Sequence, residues 1–163
     1  MNLDKYNLEE LLLTAIKSEV ESNKYYLHIT KKTENGLLQD KLEFLAKEEE
    51  KHRLYIEDVY KNHFPGKEIK LPKETPVPLP KIEIDEDSPV SKLIKNAMEA
   101  EKAARDFYES LSEYFETNSK IHNTLLYFAD MELGHYTILK MEKESMERFE
   151  EADVYWPMMH AGP

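Results

Sequence analysis

The segment LEFLAKEEEKHRLYIEDVY, residues 42–60, has apolar residues at the alternating three-and-four spacing that is typical of a helix with one buried face. Glu49 and His52 occupy the middle of that face, where the pattern calls for further apolar residues. Carboxylates and imidazoles are common ligands of iron, manganese and zinc. A spacing of three residues puts the two side chains on the same face of the helix, one turn apart. The pair therefore points to metal binding.

The chain contains this arrangement twice. LLYFADMELGH (125–135) aligns with LEFLAKEEEKH (42–52), and AMEAEKAARDFY (97–108) aligns with AIKSEVESNKYY (15–26). The repetition indicates an internal duplication of a helix pair. It also resolves the run of glutamates at 48–50, because only the central one has an acidic counterpart in the second copy. The inward-facing acidic and imidazole residues selected in this way are Glu19, Glu49, His52, Glu101, Glu132 and His135.

Four glutamates buried together cannot all stay ionised without compensation, because burying an unpaired carboxylate is costly. No lysine or arginine lies on the predicted buried faces to pair with them. Two divalent metal ions would balance the four negative charges, and two neutral imidazoles would complete the ligand set. One glutamate from each of two helices, with Glu-x-x-His from each of the other two, is the di-iron carboxylate pattern. A metal-free bundle with buried salt bridges or protonated glutamates is the alternative.

Helical periodicity predicts four helices, at about residues 7–34, 38–62, 89–116 and 119–152. The segment FPGKEIKLPKETPVPLPKIEIDEDSPV holds six of the eight prolines, which predicts an extended crossover over residues 63–88. Two helix hairpins joined by one long crossover make an all-α, ferritin-like four-helix bundle. We expect residues 1–163 to form a single domain of this kind.

Cap residues set the expected helix boundaries. Asn7, with Glu10 three residues later, predicts a capping box at the start of the first helix. Asn35 and Gly36 predict the C-cap of the same helix. Ser88 followed by Pro89 predicts an N-cap and first residue for the third helix.

The sequence resembles the rubrerythrin-like branch of the ferritin-like di-iron proteins. The resemblance is carried by SEVESNKYY, EEEKH, AEKAARDFY and MELGH, and the bundle arrangement extends it over most of the chain. It implies two iron ions, for which manganese or zinc can substitute. It also implies that Glu49 and Glu132 bridge the metals. The metal ligands that it implies are Glu19, Glu49, His52, Glu101, Glu132 and His135.

Tyr26 and Tyr108 follow Glu19 and Glu101 by two helical turns. Helical side chains lean towards the N-terminus, so each hydroxyl can point back at the site and bond a ligand carboxylate. The resemblance also implies that these two hydroxyls bond the carboxylates of the metal ligands. A core tyrosine that bonds some other group is the alternative.

The resemblance implies a redox-active protein that acts on O2 or peroxide with an external electron donor, and it names no catalytic residue. Rubrerythrins proper carry an extra glutamate about one turn after the third-helix ligand, where this chain has Ala103, Ala104 and Arg105. The rubredoxin-like iron domain of many relatives is also missing. A non-catalytic iron protein for storage, buffering or sensing is therefore the alternative function.

Composition excludes several other classes. The net charge of −11 argues against a nucleic-acid partner, and without cysteine the chain cannot form disulfides or iron–sulfur sites. No apolar run approaches the length of a membrane span, and no signal-peptide pattern is present, so we expect a cytoplasmic protein. The apolar end of the chain, with Trp156, Met158 and Met159, is expected to pack on the bundle end or to form a homodimer contact.

Overall fold

The computed structural model describes residues 1–80 and 85–155, with side chains described as far as residue 148. Within these ranges the chain forms helices and no strand. The predicted ferritin-like bundle of four helices is confirmed. Its helices are α1 (Leu8–Lys32), α2 (Gly36–His63), α3 (Val90–Ser112) and α4 (Lys120–Tyr155).

The helices pack as two hairpins. α1 lies along α2 and α3 lies along α4, with smaller contacts between α1 and α3 and between α2 and α4. The hydroxyl of Tyr25, late in α1, donates to the carbonyl of Leu93, near the start of α3, at 3.1 Å. The end of α1 therefore meets the beginning of α3. None of the four described helices combines the length and the apolar character that crossing a membrane requires.

The described parts of the crossover between α2 and α3 lie along α1. Three lysine bonds mark its path in order: Lys67 with Glu9 at 2.7 Å, Lys17 with the Lys73 carbonyl at 2.5 Å, and Lys32 with the Ser88 carbonyl at 3.1 Å. Val77 is completely buried and belongs to an apolar cluster of the bundle. The crossover is thus part of the core as well as a connection.

Two apolar clusters fill the bundle interior and leave a polar layer between them. One cluster includes Leu12, Ile56 and Leu111. The other includes Ile29, Leu42 and Leu139 on the far side of the polar layer. Burying a side chain of this size stabilises the fold by roughly 1.5–3 kcal/mol, so the clusters hold the helices in place around the polar groups.

The cap prediction is correct at the start of α1 and wrong at its end. The Asn7 side chain accepts from the Glu10 amide at 2.9 Å, and the Glu10 carboxylate accepts from the Asn7 amide at 3.0 Å. α1 ends at Lys32 with Thr33 as its C-cap. Asn35 instead caps α2, where its side chain accepts from the Leu38 amide at 3.2 Å, and Gly36 begins that helix. An asparagine oxygen stabilises the free amides of a following helix, and here that interaction prevails.

The boundaries of α3 also differ from the prediction. Pro89 is the N-cap and makes no side-chain capping bond, while the Ser88 hydroxyl donates to the Asp85 carboxylate at 2.5 Å. The helix ends at Ser112, and not near residue 116. The chain then forms two tight turns, in which the Tyr114 amide donates to the Leu111 carbonyl and the Phe115 amide donates to the Ser112 carbonyl. Asn118 takes a left-handed φ of 63°, which asparagine tolerates better than most residues.

α4 begins at Lys120, one residue after the predicted start, and continues to Tyr155, beyond the predicted end at 152. The predicted packing of Trp156, Met158 and Met159 lies outside the described residues and stays a prediction.

Replacing Val77 by alanine should lower the free energy of unfolding by about 2 kcal/mol, because it removes two methyl groups from a fully buried site. Chemical denaturation of the metal-free protein measures this. Leu71→Ala is the matched control in the same crossover. Because Leu71 is 41% exposed, its replacement should lower the free energy of unfolding by less than about 0.5 kcal/mol. Equal losses for the two variants would show that the crossover is not anchored through Val77.

Candidate metal centre

The polar layer between the apolar clusters consists of the six residues selected from the repeat. They come from the middle of all four helices, and each is between 1% and 3% exposed. Such burial is rare for glutamate unless its charge is paired or neutralised. We refer to Glu19, Glu49, His52, Glu101, Glu132 and His135 together as the six-residue centre.

The donor atoms of the centre form two overlapping sets. Within each set, one donor atom from every residue lies within 4.8 Å of the others. Glu19 and His52 belong to the first set only, and Glu101 and His135 belong to the second only. Glu49 and Glu132 belong to both, which is the position that a carboxylate shared between two metal ions would take.

Each histidine faces glutamates from more than one helix. His52 Nδ1 lies 3.1 Å from Glu132 Oε1, and His135 Nδ1 lies 3.1 Å from Glu49 Oε1. Each histidine thus reaches across to the glutamate of the other hairpin. The two imidazole rings are nearly parallel, with centroids 5.9 Å apart. The internal duplication therefore survives as an approximate two-fold symmetry of the site.

The centre contains buried polar atoms that the protein itself does not satisfy. In the described part of the chain, the buried side-chain nitrogen and oxygen atoms without a hydrogen-bond partner all belong to the centre, except His28 Nε2. They are Glu19 Oε2, Glu49 Oε1, both nitrogens of His52, Glu132 Oε1 and His135 Nε2. Unsatisfied buried polar atoms are rare in folded proteins and call for an explanation. Carboxylate oxygens and imidazole nitrogens converging in this way fit the ligand set of iron, manganese or zinc.

Two tyrosines hold the outer glutamates from the opposite helix. The hydroxyl of Tyr26 in α1 donates to Glu101 in α3, and the hydroxyl of Tyr108 in α3 donates to Glu19 in α1. Burial, followed by the nearby glutamate charges, raises the pKa of both tyrosines well above its usual value. Both hydroxyls therefore remain protonated and act as donors to these carboxylates.

Burial raises the pKa of Glu19 and of Glu101, so both carboxyls favour the neutral form in the metal-free protein. Burial also opposes ionisation of Glu49 and Glu132, but close contacts with a neighbouring glutamate and with both histidines outweigh it and lower the pKa of these two carboxyls. Glu19 and Glu101 thus favour the neutral form, and Glu49 and Glu132 favour the ionised form.

Burial opposes protonation of the histidines, but the close approach of three glutamate carboxyl groups to each imidazole outweighs it. They raise the pKa of His52 to about 12 and that of His135 in the same direction. Two imidazolium ions then balance the ionised Glu49 and Glu132. Two divalent ions with four carboxylates would give the same total charge of zero.

The glutamates on either side of Glu49 are engaged elsewhere. Glu48 is also largely covered, at 9% exposure, but its carboxylate pairs with the exposed Lys51 at 2.5 Å. Glu50 pairs with Arg53 at 2.6 Å. Of the three consecutive glutamates, Glu49 is the one that enters the centre.

Sequence reasoning missed two features next to the centre. The Phe128 ring lies against His52 with centroids 4.1 Å apart, whereas Leu45 stands at the corresponding position of the other copy. The Asn23 amide donates to the Ala46 carbonyl at 2.7 Å, and the residue that corresponds to Asn23 is Arg105. Both differences are visible when the two copies are aligned, and they could have indicated that the surroundings of the centre differ between its halves.

The sequence and the fold are both similar to those of known proteins. The family model described as Rubrerythrin matches residues 10–143. A solved structure of a hypothetical protein from Pyrococcus furiosus is similar to this chain, with 36% identity and a TM-score of 0.77. The match covers 91% of this chain and 95% of that one. No match is found among the curated proteins.

Replacing Glu49 by alanine should abolish paired metal binding, because Glu49 contributes to both donor sets. Glu48→Ala and Glu50→Ala are the matched controls and should bind metal like the wild type, because these carboxylates pair with Lys51 and Arg53. Metal analysis after identical anaerobic loading gives the stoichiometry. Equal losses for Glu48→Ala and Glu49→Ala would mean that α2 is rotated from the orientation described.

The stability of the metal-free protein and the extra stability that metal adds should change with pH in opposite directions. In the metal-free protein the pKa of His52 is about 12, against 6.5 ordinarily, so the stability from its proton is complete below pH 6.5 and is lost as pH rises towards 12. The pKa of Glu19 is also raised, above its ordinary value of 4.5, so the stability that comes from its proton is likewise lost as pH rises. Metal binding displaces these protons, so the stabilisation by metal should grow as pH rises.

Melting temperatures between about pH 6.5 and about pH 9, with chelator and with excess Zn(II), measure the two trends. The metal-free melting temperature should fall across this range, while the increment caused by zinc should rise. His52→Gln is the control, and its metal-free protein should show a flatter fall. Parallel curves with and without zinc would contradict the displacement of protons by metal.

Proposed function

The chain belongs to the rubrerythrin family, and on that basis we propose that its six-residue centre holds two iron ions that react with peroxide or O2. The observation that carries the proposal is the sharing of Glu49 and Glu132 between two complete donor sets. Glu19 and His52 would complete one metal's ligands, and Glu101 and His135 would complete the other's. Manganese or zinc would fit the same donors, because carboxylates and imidazoles accept all three metals.

Two iron ions held by the six-residue centre would supply two electrons, which is the number that reduction of peroxide to water consumes. The protein's own residues prepare the site for that chemistry. The apolar clusters on both sides exclude bulk water, which strengthens electrostatic interactions within the centre. Tyr26 and Tyr108 orient Glu101 and Glu19, so the outer ligands are held in place before metal binds.

Repeated turnover needs a source of electrons. The 163 residues contain no cysteine, so they cannot ligate iron by thiolates. We therefore infer an external electron donor. A cytoplasmic location and a homodimer remain predictions from composition and from the apolar end of the chain.

A second function is favoured by the residues that follow Glu101. Ala103 and Ala104 stand where the resemblance to rubrerythrins calls for an extra glutamate, and they line a cavity beneath the crossover. Neither of these two positions therefore supplies the extra glutamate that those relatives use for peroxide reduction. Non-catalytic iron storage, buffering or sensing is the second candidate.

Anaerobic loading with Fe(II) should give about two iron ions per chain, one for each donor set. The loaded protein should then consume hydrogen peroxide over many cycles when a chemical reductant is supplied. Glu49→Ala should abolish turnover and Glu50→Ala should preserve it. Consumption of peroxide and of reductant, followed together, measures the reaction.

Two outcomes separate the candidates. Oxidation of the bound iron once, with no further consumption while reductant is present, would favour storage or sensing over catalysis. Absence of iron, manganese and zinc after loading would refute the metal centre itself.

A further inference from the structure

The two halves of the centre differ in how they are closed towards solvent. Between α1 and α2, the Asn23 amide donates to the Ala46 carbonyl at 2.7 Å. This bond joins the two helices one turn away from Glu19 and Glu49. The surface groove outside it is lined by residues such as Leu27 and Phe44, and by none of the six-residue centre. The first half therefore carries a side-chain hydrogen bond that joins its two helices beside the centre.

The second half has no asparagine at the corresponding position. Arg105 stands there, and its guanidinium donates to Glu109 on its own helix at 3.0 Å and 3.2 Å. A cavity of about 240 Å³ lies between α3 and α4 beside Arg105. Its lining includes Glu101 and Glu132 themselves, together with the exposed Leu133. The cavity thus reaches two residues of the centre.

The cavity is large enough to admit small inorganic molecules. A water molecule occupies roughly 30 Å³ in the liquid, so several molecules of that size fit within it. The cavity beneath the crossover is different, because it is lined by Ser18, Ala103 and Ala104 and by none of the six-residue centre. The geometry therefore singles out the α3–α4 side.

We propose that the α3–α4 cavity is the entrance through which metal ions and small oxidants reach the centre, and that Asn23 closes the equivalent route between α1 and α2. The inference rests on the proposed metal centre and adds a direction of access to it. Leu133 and Arg105 are residues of the entrance and are not ligands. The Glu101–His135 end is the end that an incoming molecule meets first.

Filling the entrance tests the proposal. Leu133→Trp places an indole in the cavity, and its matched control is Glu50→Trp, because position 50 corresponds to Leu133 in the closed half. We expect Leu133→Trp to slow the binding of Co(II) to metal-free protein about tenfold, and Glu50→Trp to change it by less than about twofold. The binding rate of azide to the metal-loaded protein should change in the same way. Cobalt stoichiometry at equilibrium should stay at the wild-type value in both variants.

A second pair of variants tests the role of the bridge. Asn23→Ala in the Leu133→Trp background should restore fast cobalt binding by opening the α1–α2 side. Arg105→Asn should slow cobalt binding, because the new amide can reach the Ala129 carbonyl as Asn23 reaches that of Ala46. Unchanged rates in Leu133→Trp, equal slowing in Glu50→Trp, or no restoration by Asn23→Ala would overturn the proposed entrance. A wild type that binds no cobalt would overturn the metal centre and the entrance together, whereas normal stoichiometry with equal rates would overturn the entrance alone.

Discussion

Four carboxyl groups in the interior of an apolar helical bundle must be neutralised, and the structure around the centre follows from that requirement. Each glutamate is almost fully buried between two apolar clusters, where an isolated negative charge is costly. Among the residues whose side chains the structure describes, no lysine or arginine forms a salt bridge with these carboxyl groups, which pair with histidines. Histidines and tyrosine hydroxyls surround the carboxylates instead, and these groups are also suited to holding or supporting metal ions.

The same residues can reach neutrality in two ways. Protons on Glu19, Glu101 and both histidines balance the centre when it is free of metal. Two divalent ions would balance it after those four protons leave. The bundle can therefore fold around the centre before metal binds, because the apolar clusters supply its stability and the protons remove the excess charge. In the proton-balanced form, however, several buried histidine and glutamate atoms still have no hydrogen-bond partner.

The repeat in the sequence was sufficient to predict the six inward residues, because a residue's direction on a helix depends on the 3.6-residue period alone. The four helices and the crossover follow from the same periodicity and from the prolines. The predicted role of Asn35 as a C-cap was wrong, because an asparagine between two helices can cap either the end of the first or the start of the second. The crosswise bonds of Tyr26 and Tyr108, and the Asn23 bridge, depend on how helices sit against one another, which periodicity within one helix does not determine.

The two halves of the chain are alike in their donors and different in their surroundings, and charge explains why. Exchanging any inward glutamate or histidine between the two copies leaves the same residue type in place, so the balance of the centre is preserved throughout. The neighbouring positions carry no such requirement. Phe128 lies against His52 where the other copy has Leu45, and Arg105 turns outward where Asn23 bridges two helices. Two metal positions with matching donors would thus differ in packing and in access to solvent, so a symmetric ligand set can support an asymmetric reaction.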